Sequence, residues 1–178
     1  MSSTASNPRY AELMIEGLKE ADVKIVTALP EGLLRSFYRM AADDPDIHYV
    51  RVSNEADMPG IVAGAYLGGT RAVMVMENQG IRQACHPIGH YAFASHMPMV
   101  MFLSFRGDFG EGNWWGHHHS QTMEPILKAF RIPFRVVRRL EQIKPNIKRA
   151  FDHANASQWP VALVFSGECV EVSTYAKD

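Results

Sequence analysis

Cysteine is scarce in this chain: its 178 residues include only two, Cys85 and Cys169. They lie far apart and form no CxxC pair, so they suggest neither a zinc ribbon nor a disulfide framework. No apolar run reaches the roughly 20 residues needed to cross a bilayer. The opening MSSTASNPRY lacks the apolar core of a signal peptide. The expected location is therefore cytoplasmic, with no membrane partner. Net charge is only −1, which removes the electrostatic case for a nucleic-acid partner. Phosphate loops are missing too, since neither GxxxxGK[ST] nor GxGxxG occurs. Without a glycine cradle the chain is not expected to hold a diphosphate by itself.

What is present has the composition of a globular domain, 47% hydrophobic and 21% charged. The length suits one domain with a sizeable core. No linker or repeat divides it, so residues 1–178 read as a single domain with a polar tail at about 1–7. Ten methionines and nine phenylalanines are many for this length, and most are expected in the core or at an interface.

Helical spacing of Leu13, Met14, Gly17 and Leu18 predicts a helix over Pro8–Ala21. Strands are predicted at Lys24–Leu29, His48–Val52, Ala72–Met76, Met99–Ser104, Phe134–Val137 and Val161–Phe165. Met99–Ser104 is apolar on both faces, as buried parallel strands are. Between them run helices on LLRSFYRMAA, on the Gly/Ala stretch after Asn54, from ENQG to about Ser95, from about Thr122 to Phe130, and over Leu140–Ala156. This alternation predicts a three-layer α/β/α sandwich around a mostly parallel six-stranded sheet. Ligands of such sheets gather at the carboxyl ends of the strands. That edge would carry Pro30–Gly32, Asn54–Glu55, Asn78–Gly80 and the 105–121 loop.

Glu55 has two readings. It is a helix-start acid beside a cap at Asn54, or a carboxylate in a dry pocket that holds or relays a proton. The small residues behind it let a backbone or flat ligand come close. Asn78 and Gln79 either satisfy turn backbone or touch a ligand. His117, His118 and His119 form a triplet in the longest loop, where one or two would enter the pocket as proton donors or anion contacts. His86 and His90 share a helical face, but acids or cysteines that would complete a metal shell are not suitably spaced, so no metal site is assigned. Arg106 either binds an anionic substrate group or pairs with Asp108. Trp114 and Trp115, set among glycines, are expected to order against a partner or over a substrate.

Taken in order, ALPEGLL, NEADMPGIVAGAYLGG, MENQGI and PMVMFLSFRGDFGE resemble the pyrimidine-binding (PYR) domain of thiamine diphosphate enzymes. Within that family the likeness runs to the α subunits of sulfopyruvate and phosphonopyruvate decarboxylases, over roughly residues 8 to 167. The resemblance implies that Glu55 is the catalytic glutamate, bound to N1′ of the aminopyrimidine so that the C2 ylid forms. By the same likeness Asn78, Gln79 and Gly80 border the cofactor, and Pro30 and Glu31 lie beside the pyrimidine or the substrate; Arg106 at its strand end and His117 in the triplet are the remaining candidate substrate contacts. His118 and His119 resemble a histidine pair that handles protons. The family's diphosphate domain carries GDG and a later asparagine for magnesium, whereas GDFG at 107–110 breaks that pattern. The resemblance thus implies half an active site. A β subunit would bind the diphosphate and Mg²⁺ in a hetero-oligomer such as α2β2 or larger, acting on a small 2-oxo acid. A thiamine-dependent carboligase or C–C lyase subunit is the alternative reaction. A non-catalytic flavodoxin-like binding or regulatory module is the alternative of another class.

Overall fold

The computed structural model describes residues 8–170, so the polar tail expected at 1–7 lies outside the described residues. Six strands, β1 (Val23–Ala28), β2 (His48–Arg51), β3 (Arg71–Glu77), β4 (Val100–Ser104), β5 (Phe134–Val137) and β6 (Val161–Phe165), form one sheet in the order β2-β1-β3-β4-β6-β5. Every neighbouring pair is parallel. The central strands β4 and β6 are buried along their whole length, which is why they read as unbroken apolar runs rather than alternating ones.

Helices cover both faces. On one lie α1 (Arg9–Glu20), α2 (Arg35–Asp43) and α6 (Ile143–Ser157), packed on Val26, Val73, Phe102 and Leu163. On the other lie α3 (Met58–Leu67) and α4 (Ile81–Ile88), with α5 (His117–Ala129), over Met74, Met76, Met101 and Leu103. The methionines are mostly core: Met14, Met58, Met74, Met76, Met99, Met101 and Met123 are all buried. A methionine-rich surface is therefore not how this chain would meet a partner. Unbranched thioethers instead fill the layer between sheet and helices.

Two local features differ from the sequence expectation. The histidine triplet is not in a loop, because α5 begins at His117 rather than near Thr122. In addition, the glycines of α3 are not all sites of close packing. Gly60 faces the Tyr91 ring, but a Cβ on Gly64 would meet nothing within 4 Å. The helix after β3 continues as expected, ending in a π-helical stretch at Gly89–Ala94. His86 and His90 do share a face there, with ring centroids 4.8 Å apart.

The sheet order places the site. From β1 the chain steps outward through α2 to β2, and from β3 it steps the other way through α4 to β4. The crevice between the carboxyl ends of β1 and β3 is thus the switch point of the sheet, where α/β folds bind ligands. Pro30 and Glu31 follow β1, and Asn78–Gly80 follows β3.

Candidate active site

Glu55 opens a single 3-10 turn, Glu55–Asp57, that leads into α3. The Asn54 side chain accepts the Ala56 N–H at 2.8 Å, so the first turn is capped by Asn54 and not by Glu55. The Glu55 side chain points inward and is 7% exposed. No described residue donates a hydrogen bond to its carboxylate, whose oxygens are not sealed off and so stay available to a ligand. Gly80 lies directly against it. A Cβ at position 80 would sit 2.6 Å from Glu55 Cγ and 2.8 Å from Oε1, closer than real contacts allow. Beside them Asn78 is fully buried; its Nδ2 donates to the Arg106 carbonyl at 2.8 Å, while its Oδ1 has no partner. Gln79 instead faces outward and receives Arg82, at 3.1 Å from Oε1.

Arg106 forms the centre of the pocket wall. It is 3% exposed and does not pair with Asp108, which binds Arg138 and Ser166 across the sheet. Arg106 Nη1 meets Glu111 at 3.3 Å, Nε lies 3.6 Å from Glu77, and Nη2 lies 3.8 Å from Glu31. Three strand ends are thus tied to one guanidinium, whose carbon also lies 5.0 Å from the centre of the Trp115 ring. Glu31 does more than face this cage, since it accepts the N–H groups of Leu33 (2.6 Å) and Leu34 (2.9 Å) and shapes the turn into α2. Burial, with the neighbouring Glu77 charge, pushes the Glu31 carboxyl up to about 7 despite those bonds and Arg106. Glu77 is raised as well, again chiefly by burial.

Of the triplet, only His119 is buried; His117 and His118 are exposed. His119 Nδ1 lies 3.1 Å from Glu77 Oε1 but off the angle a hydrogen bond needs. Burial, then the His118 charge, pulls the His119 imidazole down to about 4, so it is neutral at pH 7. Pro30 is half-buried at the rim. The structure therefore brings together Pro30, Glu31, Glu55, Asn78, Gly80, Arg106 and His119, and turns Gln79, His117 and His118 outward. Sequence reasoning missed Glu77 and Glu111. The first was legible as an acid at the end of an apolar strand, the second only once its partners were known. Among the described residues no group of three or more His, Cys, Asp or Glu is placed to hold a metal, and no helix is long and apolar enough to cross a membrane.

The family described as "Thiamine pyrophosphate enzyme, N-terminal TPP binding domain" matches residues 8–124. The chain belongs to this family. Its relatives in the thiamine pyrophosphate enzyme family include the sulfopyruvate decarboxylase subunit alpha of Methanococcus maripaludis. That protein is 26% identical over 154 residues, spanning 86% of this chain and 92% of its own. The corresponding subunit of Methanothermobacter thermautotrophicus is 27% identical, with 86% and 93% covered. A phosphonopyruvate decarboxylase of Streptomyces viridochromogenes is 27% identical over 105 residues, which are 59% of this chain but only 26% of that one. Among solved structures, a 2-oxoglutarate:ferredoxin oxidoreductase from Magnetococcus marinus superposes with a TM-score of 0.68. It covers 90% of this chain and 29% of that one at 15% identity, a likeness of fold alone.

The residues present fit thiamine at this place. A largely buried carboxylate with no hydrogen-bond donor among the described residues faces a glycine that leaves no room for a Cβ.

Proposed function

We propose that this chain is the α, pyrimidine-binding subunit of a heteromeric thiamine diphosphate-dependent 2-oxo acid decarboxylase of the sulfopyruvate or phosphonopyruvate type. The observation that carries the reading is the Glu55 carboxylate, buried without a partner against Gly80 at the switch point of the sheet. Relatives named as alpha subunits along nearly their whole length support a partner chain. In this reading the partner is a β subunit that holds the diphosphate and Mg²⁺.

Bound thiamine diphosphate supplies the electron sink that accepts the electrons left when CO₂ departs from a 2-oxo acid. This chain's residues do the rest of their half. Glu55 offers a carboxylate oxygen to the ring nitrogen N1′ and holds or releases a proton there. The low-dielectric wall around it strengthens that hydrogen bond. Gly80 and Pro30 would border the pyrimidine, and buried Asn78 holds the Arg106 carbonyl behind them. His119, neutral at pH 7, can take a proton from the substrate side, with Glu77 Oε1 3.1 Å from its Nδ1. Arg106 has three carboxylates around it, so it suits the holding of these loops better than the binding of another anion. Glu31 is committed to backbone in the same way. The outward His117 and His118 would reach substrate only from the side the partner closes.

The test is co-expression with a β chain that carries the GDG and asparagine motif. CO₂ release from a panel including sulfopyruvate and phosphonopyruvate is then measured with and without Mg²⁺ and thiamine diphosphate. Glu55→Gln should lower turnover by about 10²–10⁴-fold, the usual worth of a positioned proton-transfer group. Full turnover in that variant, or no association of the two chains, would defeat the reading. Added acceptor aldehyde separates decarboxylation from carboligation by the coupled product.

A further inference from the structure

A second pocket lies away from the candidate active site, between α6 and the first residues of β5, the edge strand of the sheet. It encloses about 240 Å³. Ala150, Val161 and Leu163 form its apolar walls, and Arg135, Arg149 and His153 line it with cationic and titratable groups. Phe134 and Arg135 open β5, whereas the candidate active site lies beyond the last residues of the strands. On α6 the pocket reaches His153, about 15 Å along the helix from its start at 1.5 Å per residue. The two sites thus occupy opposite halves of the sheet's length.

The cations beside the pocket on α6 and in the turn before it are engaged by acids: Lys144 with Glu16 and Glu20, Lys148 with Asp152, Arg138 with Asp108, Arg139 with Glu141. Asp152 is the only acid on α6, and it is engaged by Lys148 at 2.7 Å. Arg135 and Arg149 have no carboxylate within 4 Å among the described residues, although they share one pocket in a chain of net charge −1. Two guanidiniums over an apolar floor, with no acid between them, are arranged for an anion that arrives from solution. Guanidinium forks match phosphate, sulfonate and carboxylate oxygens in pairs. The volume equals roughly eight waters at about 30 Å³ each, room for one anionic group on a single ring or short apolar body.

We propose that the pocket between α6 and β5 is a binding site for a small organic anion, held by Arg135 and Arg149 with its apolar part against Val161 and Leu163. The site is independent of the thiamine reading, so its test is read as binding rather than turnover. The full chain, in the assembly in which it purifies, is titrated with phenyl phosphate, inorganic phosphate and phenol by calorimetry. Phenyl phosphate is expected to bind saturably and at least tenfold more tightly than inorganic phosphate, and phenol is expected not to bind. Arg135→Gln combined with Arg149→Gln should weaken phenyl phosphate at least tenfold. Arg139→Gln, which removes a surface arginine paired elsewhere, should leave it unchanged. All of these side chains are exposed, so the variants are expected to keep the parent's melting temperature. The proposal is overturned by absence of saturable binding, by equal affinity for the two phosphates, or by binding that survives the double substitution.

Discussion

An alanine at position 80 would put its Cβ within 3 Å of Glu55 Cγ and Oε1, and Glu55 is too buried to swing aside. Gly80→Ala is therefore expected to cost about 1–3 kcal/mol by overpacking, read in urea unfolding. Turnover of the assembled enzyme should drop at least about tenfold, because the carboxylate is displaced from its seat. A second expectation concerns pH. Folded Glu31, at about 7 instead of 4.5, binds more protons than the unfolded chain between those values, so it makes stability fall as pH rises. His119, at about 4 instead of 6.5, binds fewer protons when folded and makes stability rise between 4 and 6.5. The two slopes oppose each other from pH 4.5 to 6.5, and Glu77, also raised by burial, adds to the falling one. Glu31→Gln should therefore turn the slope toward rising across that window, measured as urea midpoints at constant m. A slope unchanged in the variant would contradict this assignment. Glu55 itself was legible in the sequence as one of two readings, and its burial decided between them. Gly80 was legible only as a turn glycine, because the clash that requires it comes from a residue 25 positions earlier in the chain.

The segment from β4 to α5 is the element least legible in the sequence. Nearness along the chain suggested that Arg106 pairs with Asp108. Between them Gly107 adopts φ +83° with its open side against the Gly116 carbonyl, and the two side chains leave in different directions. Asp108 crosses to Arg138 at 2.9 Å, while Arg106 turns back under the strand ends. The start of α5 was hidden for a related reason. The Gly116 cap has no side chain to announce it, and histidine is a weak helix former. Strand positions, by contrast, were readable to within a residue or two, most plainly at β4 and β6, where burial on both faces left continuous apolar runs. What holds the segment is Glu111, whose side chain is fully buried. It accepts Asn113 N (3.0 Å), Asn113 Nδ2 (2.8 Å) and Arg106 Nη1 (3.3 Å). Burial acts to raise its carboxyl, but the Asn113 and Gly107 N–H groups outweigh it and hold the carboxyl below the ordinary range. Glu111→Ala leaves the Arg106 charge short of a buried partner, so a loss of about 3–5 kcal/mol is expected. Trp115 stacks on that guanidinium, and its fluorescence should shift in the same variant.

At the scale of the molecule, a buried core lies beside a surface that is too apolar at one place. Phe109 is 96% exposed and Trp114 83%, both on the segment that carries Glu111 and leads to the histidines. The Glu111 carboxylate accepts the Gly107 and Asn113 N–H groups and so ties this segment at both ends, which presents the two rings from an anchored turn. Large aromatic side chains held out on a rigid support, next to half of a site, are the usual anchors of a protein–protein contact. If a β subunit closes the pocket, these rings are the first part of this chain it would cover. Phe109→Ser and Trp114→Ser touch no packed neighbour, so each should change the stability of the isolated chain by no more than about 0.5 kcal/mol. Each should nevertheless weaken assembly with the β chain by about 30-fold, the equivalent of about 2 kcal/mol for an anchoring residue. Sedimentation of the mixed chains over a concentration series measures both species directly. Unchanged assembly in both variants would place the partner on another face, most simply the open side of α3 around Leu67, which is 72% exposed.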